Sequence, residues 1–160
     1  MTTRIVLDAA GLTEVATSPR LRALLQRASE RGHDTWCSAV TVAEVARGSH
    51  YSALARQALR QRGAGAPIRL QPADRTVAFL VGALLHDSGR DSADIADAHV
   101  VATCASCDAA VVVTSDPDDI VAISAKTGAG IGELTKRLGV IAADRVGSQV
   151  VPIITQDRHR

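Results

Sequence analysis

Two short apolar runs that each end in an acid constrain this chain most: "RIVLD" at residues 4–8 and "AAVVVTSD" at residues 109–116. Apolar runs of this length without polar alternation mark strands buried on both faces, the kind that parallel sheets contain. Asp8 and Asp116 then stand at the carboxyl ends of their strands, where open α/β sheets gather functional groups. Strand-like "TWCSAV" and "PIRLQP" lie between the two runs, separated by stretches of helical character. "SPRLRALLQRASERG" has Pro19 in its first turn and Gly32 after its end, and "TVAEVARG" stops at Gly48. "YSALARQALRQRG" is a basic helix closed by Gly63, "ADRTVAFLVGALLHDSG" has Asp74 near its cap, and "DSADIADAHVVATC" reads as one further helix. Strands alternating with helices predict an α/β domain around a parallel sheet. The chain reads as one domain over residues 1–160, with no internal repeat or linker. Residues 120–148 are the atypical segment: "SAKTGAGIGELTKRLG" predicts a glycine-rich turn and a helix, "QVVPII" a last strand, and residues 155–160 a frayed tail.

The helix at residues 91–104 carries acids where apolar side chains point. At about 100° per residue, Asp97 falls on the stripe of Val100, Val101 and Cys104, and Asp94 only about 60° away. An ionised carboxylate in that position requires a positive partner. Glu44 shares a stripe with Val40 and Gly48, so it too is predicted to face inward. Asp8, Glu44, Asp97 and Asp116 thus converge from four elements and would repel one another. Hard divalent cations resolve such a cluster, because Mg²⁺ and Mn²⁺ prefer carboxylate oxygen.

Composition bears on what such a site would handle. Residues 87–119 hold eight of the 17 acids and one base, Arg90, whereas the first 86 residues hold eleven arginines against six acids. An acidic centre in a basic surround suits a metal site acting on a polyanion, and arginine's planar fork suits phosphate. With one Trp, one Tyr and one Phe, extensive base stacking is not expected, which leaves phosphate contacts to arginines such as Arg47, Arg56 and Arg60. At 46% hydrophobic and 22% charged residues, the chain has the composition of a folded globular protein. No apolar run approaches the roughly 18 residues of a membrane span, and no signal-like start is present, so a cytoplasmic protein without membrane contact is expected.

Each of these residues also has a structural reading. Asp8 stands where it would cap a following helix, Glu44 could pair with Arg47, and Asp94 sits at a favourable helix start. Asp118 and Asp119 follow Pro117 as caps of a short helix would. "CASC" at residues 104–107 has zinc or redox spacing but no second pair, and reads as buried thiols. His99 lies away from the Asp97 stripe and is not read as a ligand. "ISAKTGAGIGEL" resembles the guanine-contacting loop of small GTPases, but no phosphate-cradling G-x-x-x-x-G-K-[ST] loop accompanies it.

Taken together, "VLDAAGL", "TVAEVARG", "DIADAHVVA" and "VVVTSDPDD" resemble, in order and approximate spacing, the PIN-domain nucleases, most of all the VapC-type toxins of toxin–antitoxin pairs. The resemblance covers residues 3–121 and implies a three-layer α/β/α domain whose central parallel sheet has about five strands. It implies Mg²⁺ or Mn²⁺ and hydrolysis of RNA by a metal-activated water, with Asp8, Glu44, Asp97 and Asp116 as catalytic acids. Asp8 and Asp97 would be direct metal ligands, with Asp116 also reaching the metal. Asp94 and Asp119 match flanking acids, and Thr114 or Ser115 would hydrogen-bond a ligand or a metal-bound water. A cognate VapB-type antitoxin and a homodimer are the implied partners. Two other readings compete: a catalytically silent binding module, and a haloacid-dehalogenase-like phosphatase. The phosphatase would need a second aspartate where this chain has Ala10.

Overall fold

A computed structural model describes residues 2–60, 67–105, 107 and 109–125, together with the backbone of residues 138–142. Five parallel strands form one sheet in the order β3-β2-β1-β4-β5. The strands are β1 (Thr3–Leu7), β2 (Asp34–Ser38), β3 (Ile68–Gln71), β4 (Ala109–Thr114) and β5 (Leu138–Ala142). Strands 1 to 3 build outward in one direction and strands 4 and 5 in the other. The strand order therefore reverses between β1 and β4, and such a switch point leaves a crevice beyond the carboxyl ends.

Alternation along the two central strands divides the core. Ile5 and Leu7 of β1, with Val111 and Val113 of β4, pack under α1 (Ala9–Thr17), α2 (Pro19–Glu30) and α4 (Ser49–Leu59). Val6, Ala110 and Val112 point the other way, against α5 (Arg75–Ser88), α6 (Ile95–Cys104) and α7 (Pro117–Ala125). Helices on both faces of a parallel sheet make the three-layer architecture expected from the sequence. The central strands have to be apolar on both faces, and this is why they read as unbroken runs.

Local signals act at the helix ends. The side chains of Ser18 and Asp74 accept hydrogen bonds from Leu21 N at 3.2 Å and Val77 N at 2.9 Å, capping α2 and α5. Gly32 has φ +84°, which suits its place just after α2.

Several expectations need correction. The last described strand is Leu138–Ala142, whereas "QVVPII" at 149–154 lies outside the described residues, as do residues 155–160. The glycine-rich turn and helix expected across "SAKTGAGIGELTKRLG" fall mostly outside them too; only Ser124 and Ala125, in α7, and Leu138 and Gly139, in β5, are described. The helix carrying Glu44, α3 (Ala39–Val45), ends before Gly48, which instead opens α4 with φ +86°. α4 itself ends at Leu59, and Gly63 lies outside the described residues. Residues 91–104 do not form a single helix: a 3-10 turn over Ser92–Asp94 precedes α6.

Candidate metal centre

Asp8 follows β1 at the switch point and is only 8% exposed. It caps α1, its Oδ1 accepting from Gly11 N at 2.7 Å. Hydrogen bonds from the Thr114 side chain and from the backbone of Ser115 and Ala10 also reach its carboxylate. Burial pushes the Asp8 pKa up, and these four hydrogen bonds restrain the rise by favouring the charged form. Thr114 itself is tied down, because its Oγ1 accepts from Asp116 N at 3.0 Å. The cap and the site are therefore one arrangement: the N-cap fixes one carboxylate oxygen and holds the group at the crevice.

Gly11 makes that arrangement possible. A Cβ at this position would lie 2.8 Å from the Val113 carbonyl oxygen, which also accepts from Asp8 N at 3.2 Å. Any side chain would push α1 off β4 and carry Asp8 with it.

Asp97 lies at the open first turn of α6. Beyond it, residues 98 to 104 are all buried, His99 included, so from residue 98 on the helix has no solvent-facing side. Burial first, then the charges of Asp119, Glu44, Asp8 and Asp94, push the Asp97 pKa up to about 6. The cluster thus comprises five carboxylates, from α1's cap, α3, the 3-10 turn, α6 and α7.

Within the cluster, carboxylate oxygens of Asp94, Asp97 and Asp119 lie within 4.8 Å of one another. Arg90 enters here as the cation. Its Nη1 donates to Asp94 Oδ1 at 3.1 Å and its Nη2 to Asp119 Oδ1 at 2.9 Å. The positive partner demanded by the acids of this helix is thus present, but it is paired with Asp94 and Asp119.

Two sequence-derived candidates, Glu44 and Asp116, differ from their expected setting. Glu44 is exposed, not turned into the core: Thr41 and Val45 form the buried stripe of α3, and Glu44 lies on the adjoining face. There it lines a groove with Ala9, Ala10, Thr13, Arg47 and Tyr51. Arg47 Nε donates to the backbone oxygen of Glu44 at 2.9 Å. Asp116 is exposed on the turn after β4 and is not among the charges acting on Asp97; Asp119, one helical turn further on, is. Thr114 and Ser115 hydrogen-bond the Asp8 carboxylate, a partner other than the ligand or metal-bound water expected of them. Arg56 and Arg60 are exposed on α4 and at its end. Asp118 is exposed. The Cys104 thiol is buried, its Sγ donating to Val100 O at 3.4 Å, while Cys107 Sγ donates to Cys104 O at 3.0 Å.

The role of Arg90 was not evident from sequence, although it is the only base in the acid-rich stretch. Its spacing of four from Asp94 was the available signal, since i,i+4 charges meet readily. Its second partner, 29 residues away, had no local signature.

Comparison with known proteins agrees with this architecture. The PIN domain family model matches residues 5–126. A solved structure of FitAB bound to the IR36 DNA fragment is similar with a TM-score of 0.51 and 20% sequence identity. The match covers 87% of this chain and 94% of that one, and at this identity it speaks to the fold. No curated protein sequence matches significantly. A family match across most of the chain, on a sheet whose switch point gathers acids from successive elements, shows that this chain belongs to the PIN-domain family.

Proposed function

We propose that this chain is a metal-dependent endoribonuclease, the toxin of a VapBC-type pair, acting at the acidic cluster beyond β1 and β4. The observation that carries the reading is the gathering of acids at this crevice: carboxylate oxygens of Asp94, Asp97 and Asp119 lie within 4.8 Å of one another, Asp8 and Glu44 add their charges, and Arg90 pairs with only two of the five. Oxygen-only donors of high charge density suit Mg²⁺ or Mn²⁺ better than a soft metal. In this proposal Asp8 and Asp97 would hold the ion, and Asp116, exposed on the turn after β4, would serve the same site. When bound, the ion supplies Lewis acidity that makes water a nucleophile near neutral pH and neutralises charge on the phosphate.

The chain's own groups provide the rest. Thr114, Ser115, Ala10 and Gly11 hold the Asp8 carboxylate in one orientation, so no reorganisation is needed when substrate arrives. Glu44, exposed at the groove, accepts the proton of the attacking water on its carboxylate. Arg47 beside it, with Arg56 on α4 and Arg60 at its end, holds RNA phosphates. Because water attacks, without using a ribose hydroxyl, no 2′,3′-cyclic phosphate forms; the P–O3′ bond breaks, the 3′ oxygen leaves and takes up a proton, and the products carry 5′-phosphates.

A VapB-type antitoxin restrains the enzyme in this reading by placing positive charge over the acids, as complementarity favours. No helix among the described residues is long and apolar enough to cross a membrane. A homodimer in the cytoplasm is the expected working form. FitAB was solved on a DNA fragment, so the decisive assay presents single-stranded DNA beside RNA.

That assay incubates purified protein with total RNA or single-stranded DNA and Mn²⁺, with EDTA and Asp8→Asn as controls. RNA cleavage that needs both metal and Asp8 and leaves 5′-phosphates is expected. Cleavage indifferent to both controls, or 2′,3′-cyclic phosphate ends, would overturn the mechanism. Intact nucleic acid in every lane would favour a silent binding module.

A further inference from the structure

Arg90 is placed by two local motifs that meet at it. Gly89 ends α5 in the left-handed region at φ 68°, and its N–H donates to His86 O at 3.1 Å. The next N–H, that of Arg90, donates to Leu85 O at 2.9 Å, completing a Schellman ending. Immediately after it, Asp91 caps the 3-10 turn, its Oδ1 accepting from Ala93 N at 2.7 Å. The backbone is thus fixed on both sides, and the guanidinium spans Asp94 before α6 and Asp119 on α7. Asp97, within 4.8 Å of both acids, receives neither arm.

We propose that Arg90 is a positioning residue that partitions the carboxylates: it retains Asp94 and Asp119 in ion pairs and leaves Asp8 and Asp97 to take a single divalent ion. This rests on the metal-dependent reading of the site. Three carboxylates as close as Asp94, Asp97 and Asp119 would otherwise form a second, competing cation site. The fork geometry matters, because one planar guanidinium addresses two acids on different elements at once. The partition also ties α5, α6 and α7 together at the crevice without using the metal.

The test is a Mn²⁺ titration of purified protein followed by electron paramagnetic resonance, with calorimetry for affinity. Wild type is expected to bind one Mn²⁺ per chain. Arg90→Gln should gain a second ion, or bind the first about five- to tenfold more tightly, because two carboxylates are released and a nearby positive charge is lost. Arg90→Lys, which keeps the charge, should stay at one ion. A folded Arg90→Gln protein with unchanged stoichiometry and affinity would overturn the partition. Should that variant fail to fold, Asp119→Asn decides. A loss of Mn²⁺ affinity within about threefold fits a carboxylate held by Arg90, whereas a loss matching that of Asp97→Asn makes Asp119 a ligand and overturns it. Absence of Mn²⁺ binding by wild type would instead remove the metal reading itself, and the partition with it.

Discussion

Asp8 and Asp97 both have pKa values raised first of all by burial, and they differ in what acts beside it. Asp8 is the more buried, yet four hydrogen bonds restrain its rise. Asp97 is more open, but four like charges add to burial and carry it to about 6. The β1–β4 side is thus organised by hydrogen bonds, whereas the α6–α7 side is organised by charge. A site built this way keeps one carboxylate oriented and leaves the other in need of a cation.

The contrast predicts that equal losses of activity will hide opposite effects on stability. Asp8→Ala and Asp97→Asn should each lower RNA cleavage on the order of a hundredfold or more, measured as initial rates at saturating Mn²⁺. A variant that cleaves at the wild-type rate would remove that residue from the site.

Next in size is the effect of Gly11→Ala. Its Cβ would meet a backbone carbonyl that cannot swing aside as a side chain could. Overpacking of this kind costs about 1–3 kcal/mol, or roughly 2–10 °C in melting temperature for a chain of this length. Wild-type stability and activity in Gly11→Ala would show that α1 does not hold Asp8 through this contact.

The pH dependence separates the two sides further. With its pKa raised to about 6, Asp97 keeps a proton in the folded state where the unfolded chain has already released it. Metal-free stability should therefore fall as pH rises from about 4 to about 6, with Asp8 contributing in the same direction. Screening at this half-buried position leaves about 1–2 kcal/mol of the effect. Asp97→Asn should flatten the curve of melting temperature against pH, whereas Asp8→Ala should lower the melting temperature through loss of the cap. An unchanged slope in Asp97→Asn would show that the acids around it do not interact as described.

The smallest effect concerns the basic surround. Neutralising Arg47, Arg56 and Arg60 together should weaken binding of single-stranded RNA without changing the cleavage position. It should also reduce the slope of log affinity against log salt by about 2. An unaltered slope would place the phosphate contacts elsewhere.

Most of the fold was legible because it rests on local signals. β1 and β4 are apolar on both faces, and Ser18, Pro19 and Asp74 mark helix starts that the structure contains. The sequence was less informative where geometry is set across the chain. "QVVPII" has stronger strand propensity than "LGVIA", yet the described partner of β4 is Leu138–Ala142. Helical periodicity put Glu44 inward because α3 is short and two stripes compete on it. On α6 the reverse held: residues 98–104 are buried on all sides, so a single stripe could not distinguish Asp97 from its neighbours. The pairing of Arg90 with Asp119 joins the end of α5 to α7, and nothing in either segment alone reveals it.

The central claim is that Asp97 needs a cation that the protein does not itself provide. It is tested most directly by thermal melting of wild type and Asp97→Asn at pH 7, each with EDTA or with millimolar Mg²⁺. Mg²⁺ should raise the wild-type melting temperature, by about 2.7 kcal/mol of added stability where the ion is at a hundred times its Kd. Asp97→Asn should melt higher than wild type in EDTA and respond little to Mg²⁺. A wild type indifferent to Mg²⁺, together with an Asp97→Asn variant that melts lower in EDTA, would make Asp97 a structural acid and contradict the account.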